Sequence, residues 1–171
     1  FPGGSPGADD PEPTVLPIYI NELSPELDIV ELYNPNTTAV DVVGWFLTDD
    51  RDVPNKMRLT SNTVIPAGGF QTFAFPISDL GGDIYLFSGD GQTNLTGYSH
   101  GAEFNPSFPD ETLGRHMNSN GDERFVRQVA STLGGANVGP RTGPIVLTDI
   151  MYHPPDDALG FDNERDEYLV F

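Results

Sequence analysis

Residues 97–101 of this 171-residue chain read Gly-Tyr-Ser-His-Gly, which matches the Gly-x-Ser-x-Gly pattern of serine hydrolases. That chemistry needs a sharp strand-to-helix turn that exposes the serine and lends helix N–H groups to an oxyanion hole. Ala102-Glu103-Phe104-Asn105-Pro106 follows instead and reads as a loop, so Ser99 reads as the end of a strand. His100, His116 and His153 lie in separate segments, without a metal-type partner at i+2 or i+4 and without a His-Glu-x-x-His pattern. They read as surface or turn histidines. There is no cysteine, which excludes disulfides, thiol chemistry and zinc–thiolate sites. No set of residues converges on a reaction, and the expectation is a protein that is not an enzyme.

Oxygen ligands are more plentiful. Asp49, Asp50 and Asp52 crowd one inter-strand loop, and such a cluster can hold Ca²⁺, which takes six to eight oxygens. A second acidic cluster runs through Asp156, Asp157, Asp162, Asn163, Glu164 and Asp166. Neither has the spacing of an EF-hand, and a solvated acidic loop is the competing reading of both. Calcium at Asp49, Asp50 and Asp52 is the one cofactor the sequence leaves open. Asn36-Thr37-Thr38 and Asn94-Leu95-Thr96 are glycosylation sequons, triplets that also arise by chance.

The 26 acids against 8 bases give a net charge of −18, and both ends are more acidic than the middle. A field of that sign repels phosphate backbones, so nucleic acid is excluded as the expected partner. It suits a secreted protein or a salty medium. No apolar run is long enough to span a membrane.

The elements that must carry these residues are strands. Gly 19 and Pro 16 supply many turns, and no long stretch has helical apolar spacing. Residues 1–13 read as a flexible acidic extension rich in Pro and Gly. From Leu16 onward the apolar residues alternate: Ile18 and Ile20, then Val30 and Leu32. Val40, Val42, Trp45 and Leu47 share a face if Gly44 sits in a bulge. Phe70 to Phe75, Asp83 to Phe87, Leu95 to Tyr98, Glu111 to Arg115 and Arg124 to Gln128 complete the set. The aromatics Trp45, Phe46, Phe70, Phe73, Phe75, Tyr85 and Phe87 read as core rather than as a sugar-stacking face. Phe104 and Phe108 differ, because their Pro-rich loop suggests a partner surface. About eight or nine strands with frequent turns predict an all-β, antiparallel sandwich over residues 14–140.

Residues 141–171 start the pattern again. Ile18 to Leu23 and Asp28 to Asn34 have a counterpart in Ile145 to Ile150 and Asp166 to Phe171. Two strands cannot bury a core alone. The second copy departs at Val170, where the first has Glu31.

Four groups of residues, in this order, resemble the lamin-tail domain family. They are Ile20-Asn21-Glu22 with Val30 to Pro35; Val40 to Asp49; Val64 to Phe70; and Leu113-Gly114-Arg115 with Gly134 to Asn137. The opening of the second copy, Asp149 to Pro154 and Glu167 to Leu169, looks like the start of a bacterial member. The resemblance implies an immunoglobulin-like sandwich at the cell surface or outside the cell, and it implies no reaction. The expected function is therefore a non-catalytic binding or assembly module with protein partners. It would act by strand addition through its terminal segments, with Ile145, Leu147, Ile150, Tyr168 and Val170 as apolar anchors. The alternative is an accessory domain of a secreted hydrolase or nuclease whose catalytic part lies outside this chain.

Overall fold

The alternation that predicts strands produces thirteen of them among the described residues, and no α-helix. The computed structural model describes residues 15–143, 145, 147–152, 154–156, 159–161, 163 and 166–170. Residues 1–13, His153, Asp157, Asp162 and Glu164 lie outside that set. Two units divide at Arg141 and Thr142.

In the first unit the strands are β1 (Tyr19–Ser24), β2 (Ile29–Tyr33), β3 (Val40–Asp41), β4 (Phe46–Thr48), β5 (Met57–Arg58) and β6 (Val64–Ile65), followed by β7 (Phe70–Ala74), β8 (Gly82–Gly89), β9 (Leu95–Phe104), β10 (Leu113–Met117) and β11 (Glu123–Arg127). Nine of them form one sheet in the order β5-β4-β8-β9-β11-β10-β1-β2-β7, and β3 pairs with β6. Pairing is antiparallel except between β11 and β9, which meet in parallel at Phe125 and Phe104 alone. The sheet nearly parts there into a four-stranded and a five-stranded layer, and the two enclose one core in sandwich-like fashion.

Ile18, Ile20, Leu23, Val30, Leu32, Leu47, Ile65, Ile84 and Leu86 are essentially inaccessible. Burying one such side chain contributes about 1.5–3 kcal/mol, so the alternation drives the folding of the layers. The register of β1 against β2 shifts between Ile20 and Glu22, which makes Asn21 a bulge. The bulge keeps Ile20 and Leu23 on the core side and turns Asn21 and Glu22 together toward the opposite face. Gly44 has φ +80 and a Cβ there would lie 2.3 Å from Gly91 Cα, so the bend that brings Val42 and Trp45 into the core requires glycine. Asn34, wholly buried, closes β2: its Nδ2 reaches the carbonyls of Thr38, Ile65 and Pro66 at 2.9–3.0 Å.

β9 runs on through Ala102 and Phe104, where the sequence predicts a loop. The extra residues continue the inward face that begins at Tyr98 and His100. Phe104 is thereby only 6 % exposed and belongs to the core, not to a partner surface. Phe108 is 63 % exposed, with the Arg127 guanidinium 4.8 Å from its ring centre.

The second unit contains β12 (Asp149–Met151) and β13 (Tyr168–Val170), an antiparallel ribbon pairing Asp149 with Val170, Ile150 with Leu169 and Met151 with Tyr168. Among the described residues no helix is long and apolar enough to cross a membrane.

Candidate functional site

Two clusters of ionisable side chains lie inside the first unit. The first grows from the bulge in β1. Glu22 and Glu31 are cross-strand partners, both wholly buried although they point away from the core. The 129–139 segment covers them. Glu22 accepts hydrogen bonds from the Thr132 N–H (2.9 Å) and hydroxyl, and Glu31 accepts from Asn21 Nδ2 (2.9 Å) and the Gly134 N–H. Asn137 ties the same face together, its Nδ2 donating to the carbonyls of Asn21 (3.1 Å) and Arg115 (3.0 Å).

Room for this lid comes from Gly114, the partner of Glu22 on β10. A Cβ at Gly114 would lie 2.2 Å from Gln128 Nε2 and 2.9 Å from Asn137 Nδ2. Gln128 in turn accepts from the Gly139 N–H through Oε1 at 3.0 Å. Burial pushes the Glu31 carboxyl above its ordinary value; the Gly134 and Asn21 bonds oppose this and the neighbouring Glu22 adds to it. No cation among the described residues forms an ion pair with either glutamate. The pair holds a loop: both Glu22 oxygens and Glu31 Oε2 bond it, and Glu31 Oε1 bonds Asn21 of β1.

The second cluster spans the gap where the two layers meet. Tyr98 and His100, on β9, reach Ile18 and Ile20 at the start of β1, ahead of its pairing with β10. The Tyr98 hydroxyl lies 3.2 Å from Ile18 N and donates to Ile18 O at 2.7 Å, and burial pushes its phenol pKa well up. His100 Nδ1 accepts from the Ile20 N–H at 3.1 Å, so the ring proton sits on Nε2, which faces Glu123 Oε1 at 2.8 Å. Glu123 also bonds Arg115, whose guanidinium lies 4.2 Å from the centre of the Tyr19 ring. Burial pushes the Glu123 carboxyl up, but the His100 and Arg115 bonds outweigh it and hold the group below its ordinary value. With both ring nitrogens engaged, His100 is a strut between layers and not a free base. Ser99 points to the other face of β9, on a strand that no helix follows.

Of the residues singled out in the sequence, Asp49 lies 2.7 Å and Asp50 3.6 Å from Lys56 Nζ, which stands where a cation bound by these carboxylates would sit. Asp50 also accepts from the Asp52 N–H at 3.0 Å. The described residues contain no group of three or more His, Asp or Glu able to hold a metal. Asn36 Nδ2 donates to Pro17 O at 2.8 Å, and Asn94 Nδ2 to Asp90 at 2.8 Å. Trp45, Phe46, Phe73 and Phe75 are buried. Phe70, Tyr85 and Phe87 are half-buried, with Phe70 stacked on Tyr33 at 4.9 Å.

Of the apolar residues expected to act as anchors in the second unit, Ile145 is 70 % exposed, and Leu147, Ile150, Tyr168 and Val170 are between 41 and 55 % exposed. Leu169, paired with Ile150, is 55 % exposed as well. Comparison with protein-family models, curated proteins and solved structures gives no match.

Proposed function

We propose that this chain is a non-catalytic binding or assembly module that acts at the cell surface or outside the cell. In this reading it is an immunoglobulin-like sandwich of lamin-tail type, followed by the opening strands of a second copy. The observation that carries the reading is the β12–β13 ribbon. Its pairs Asp149–Val170, Ile150–Leu169 and Met151–Tyr168 follow the order and direction of Glu22–Glu31, Leu23–Val30 and Ser24–Ile29 in β1–β2. Leu23 and Val30 are wholly buried, whereas Ile150 and Leu169 are each 55 % exposed. A two-stranded ribbon with open apolar faces is not stable by itself in water. It has the character of a surface meant for other strands.

The buried and half-buried ionisable groups support the non-catalytic part. Glu22, Glu31, Glu123 and His100 are each committed to internal hydrogen bonds that hold a loop or join the layers. The acidic composition supports the extracellular part.

Sedimentation over a wide concentration range, together with assays on ester, phosphodiester and glycoside substrates, tests the proposal. Concentration-dependent association without turnover is expected. Turnover by the chain alone overturns the non-catalytic reading, and a monomer at every concentration with a protease-sensitive ribbon overturns assembly.

A further inference from the structure

We propose that the outer edge of β7 is the acceptor for β13 of a second copy of this chain, so that copies join head to tail. This rests on the assembly reading and names the strands that meet.

The nine-stranded sheet ends in β5 on one side and β7 on the other. An open sheet edge invites pairing, and proteins guard such edges with short strands, charges, prolines or bulges. β5 is guarded: it has two residues, Met57 and Arg58, and follows Lys56. β7 is not. Its five residues, Phe70-Gln71-Thr72-Phe73-Ala74, carry no charge and no proline, and they pair with β2 without a register shift.

The direction of its free N–H groups follows from the ladder. Phe75 N donates to Asp28 O at 2.8 Å, and Asn34 N donates to Gly69 O at 3.0 Å. Bonded and non-bonded pairs alternate along an antiparallel ladder. Ile29–Ala74, Glu31–Thr72 and Tyr33–Phe70 are therefore the non-bonded pairs, and the N–H groups of Phe70, Thr72 and Ala74 point away from β2.

β13 fits that edge. Tyr168, Leu169 and Val170 stand in their ribbon as Ile29, Val30 and Glu31 stand in β1–β2, and β2 is the strand that β7 covers in the first unit. Valine at the position of Glu31 matters, because Glu31 stays buried only under the Thr132–Asn137 lid. A strand added from outside has no such lid, and Val170 needs none. Charge points the same way. At −18, two copies repel each other over most of their surface. β7 and β13 are both uncharged, so backbone pairing there meets the least opposition. The donor and acceptor edges differ, which makes the contact heterologous and the assembly open-ended.

Velocity sedimentation of the full chain tests this, with T72P and A74E at the acceptor and L169P at the donor. T72P removes an outward N–H and leaves the ladder to β2 intact, and A74E places a repelling charge on the edge. The wild type is expected to form dimers and longer species, and each variant to remain monomeric at the same concentration. An equimolar mixture of T72P and L169P retains one good edge of each kind and is expected to give a 1:1 dimer and nothing longer. A74E replaces T72P in the mixture if the proline variant loses its melting transition. Assembly of the wild type that all three substitutions leave unchanged overturns this pairing and spares the assembly reading; a wild type monomeric at every concentration overturns both.

Discussion

Glu22 and Glu31 face each other across β1 and β2, wholly buried, and each accepts a backbone N–H from the same covering loop, at Thr132 and Gly134. Burying two like charges side by side is costly unless hydrogen bonds satisfy them or a proton neutralises one. Hydrogen bonds meet that cost here. The loop donates to both carboxylates, and Glu31 holds its proton more tightly than an ordinary glutamate.

Replacing Glu31 by alanine removes the acceptor of the Gly134 N–H and one of the two acceptors of the buried Asn21 amide. A buried polar group left unsatisfied costs about 1–3 kcal/mol. E31A is expected to lower the unfolding free energy by an amount of that order in urea denaturation, with hydrogen exchange at Gly134 accelerated.

The sign of the pH dependence follows from the direction of the shift. Glu31 binds its proton more tightly folded than unfolded, so it contributes stability below the ordinary carboxylate value. That contribution is lost as pH rises through its raised value. Glu123 behaves oppositely: its lowered value contributes stability above the ordinary range that is lost on acidification. Melting temperatures measured against pH should therefore decline less on the alkaline side in E31Q than in the wild type.

Tyr98 satisfies both the N–H and the C=O of Ile18 through one hydroxyl. Y98F keeps the ring against Trp45, 5.7 Å away between centroids, and removes only those bonds. A loss of about 1–2 kcal/mol is expected from chemical denaturation. The fold should be unchanged, since the packing of the two layers does not depend on the hydroxyl.

Gly114 leaves no room for a larger residue beside the lid. Its Cβ would overlap the side-chain amides of Gln128 and Asn137, so G114A displaces both and weakens the hydrogen bonds through which they hold the 129–139 segment. Expected outcomes are faster proteolysis within that segment and a lower melting temperature, checked by limited digestion with mass spectrometry.

Much of the fold was legible because burial on a strand imposes a period of two. Ile18, Ile20, Val30 and Leu32, and the set Val40, Val42, Trp45 and Leu47 with its bend at Gly44, reach the core as their spacing predicts. Phe104 misled because Pro106 and Pro109 mark a loop. The strand ends only after Phe104, and core packing outweighs the turn signal. His100 looked like a surface residue because its partners Ile20 and Glu123 belong to other strands.

By itself the sequence determined the element type, the inward residues of the regularly alternating strands and the acidic character, since these depend on local pattern and composition. Only the tertiary structure decided that Glu22 meets Thr132, 110 residues away, and that Glu31 meets Gly134, 103 residues away. It also decided that β7 ends the sheet with the N–H groups of Phe70, Thr72 and Ala74 turned outward. The physical reason is that strand order and cross-strand register arise from packing the layers together, and no local spacing encodes them.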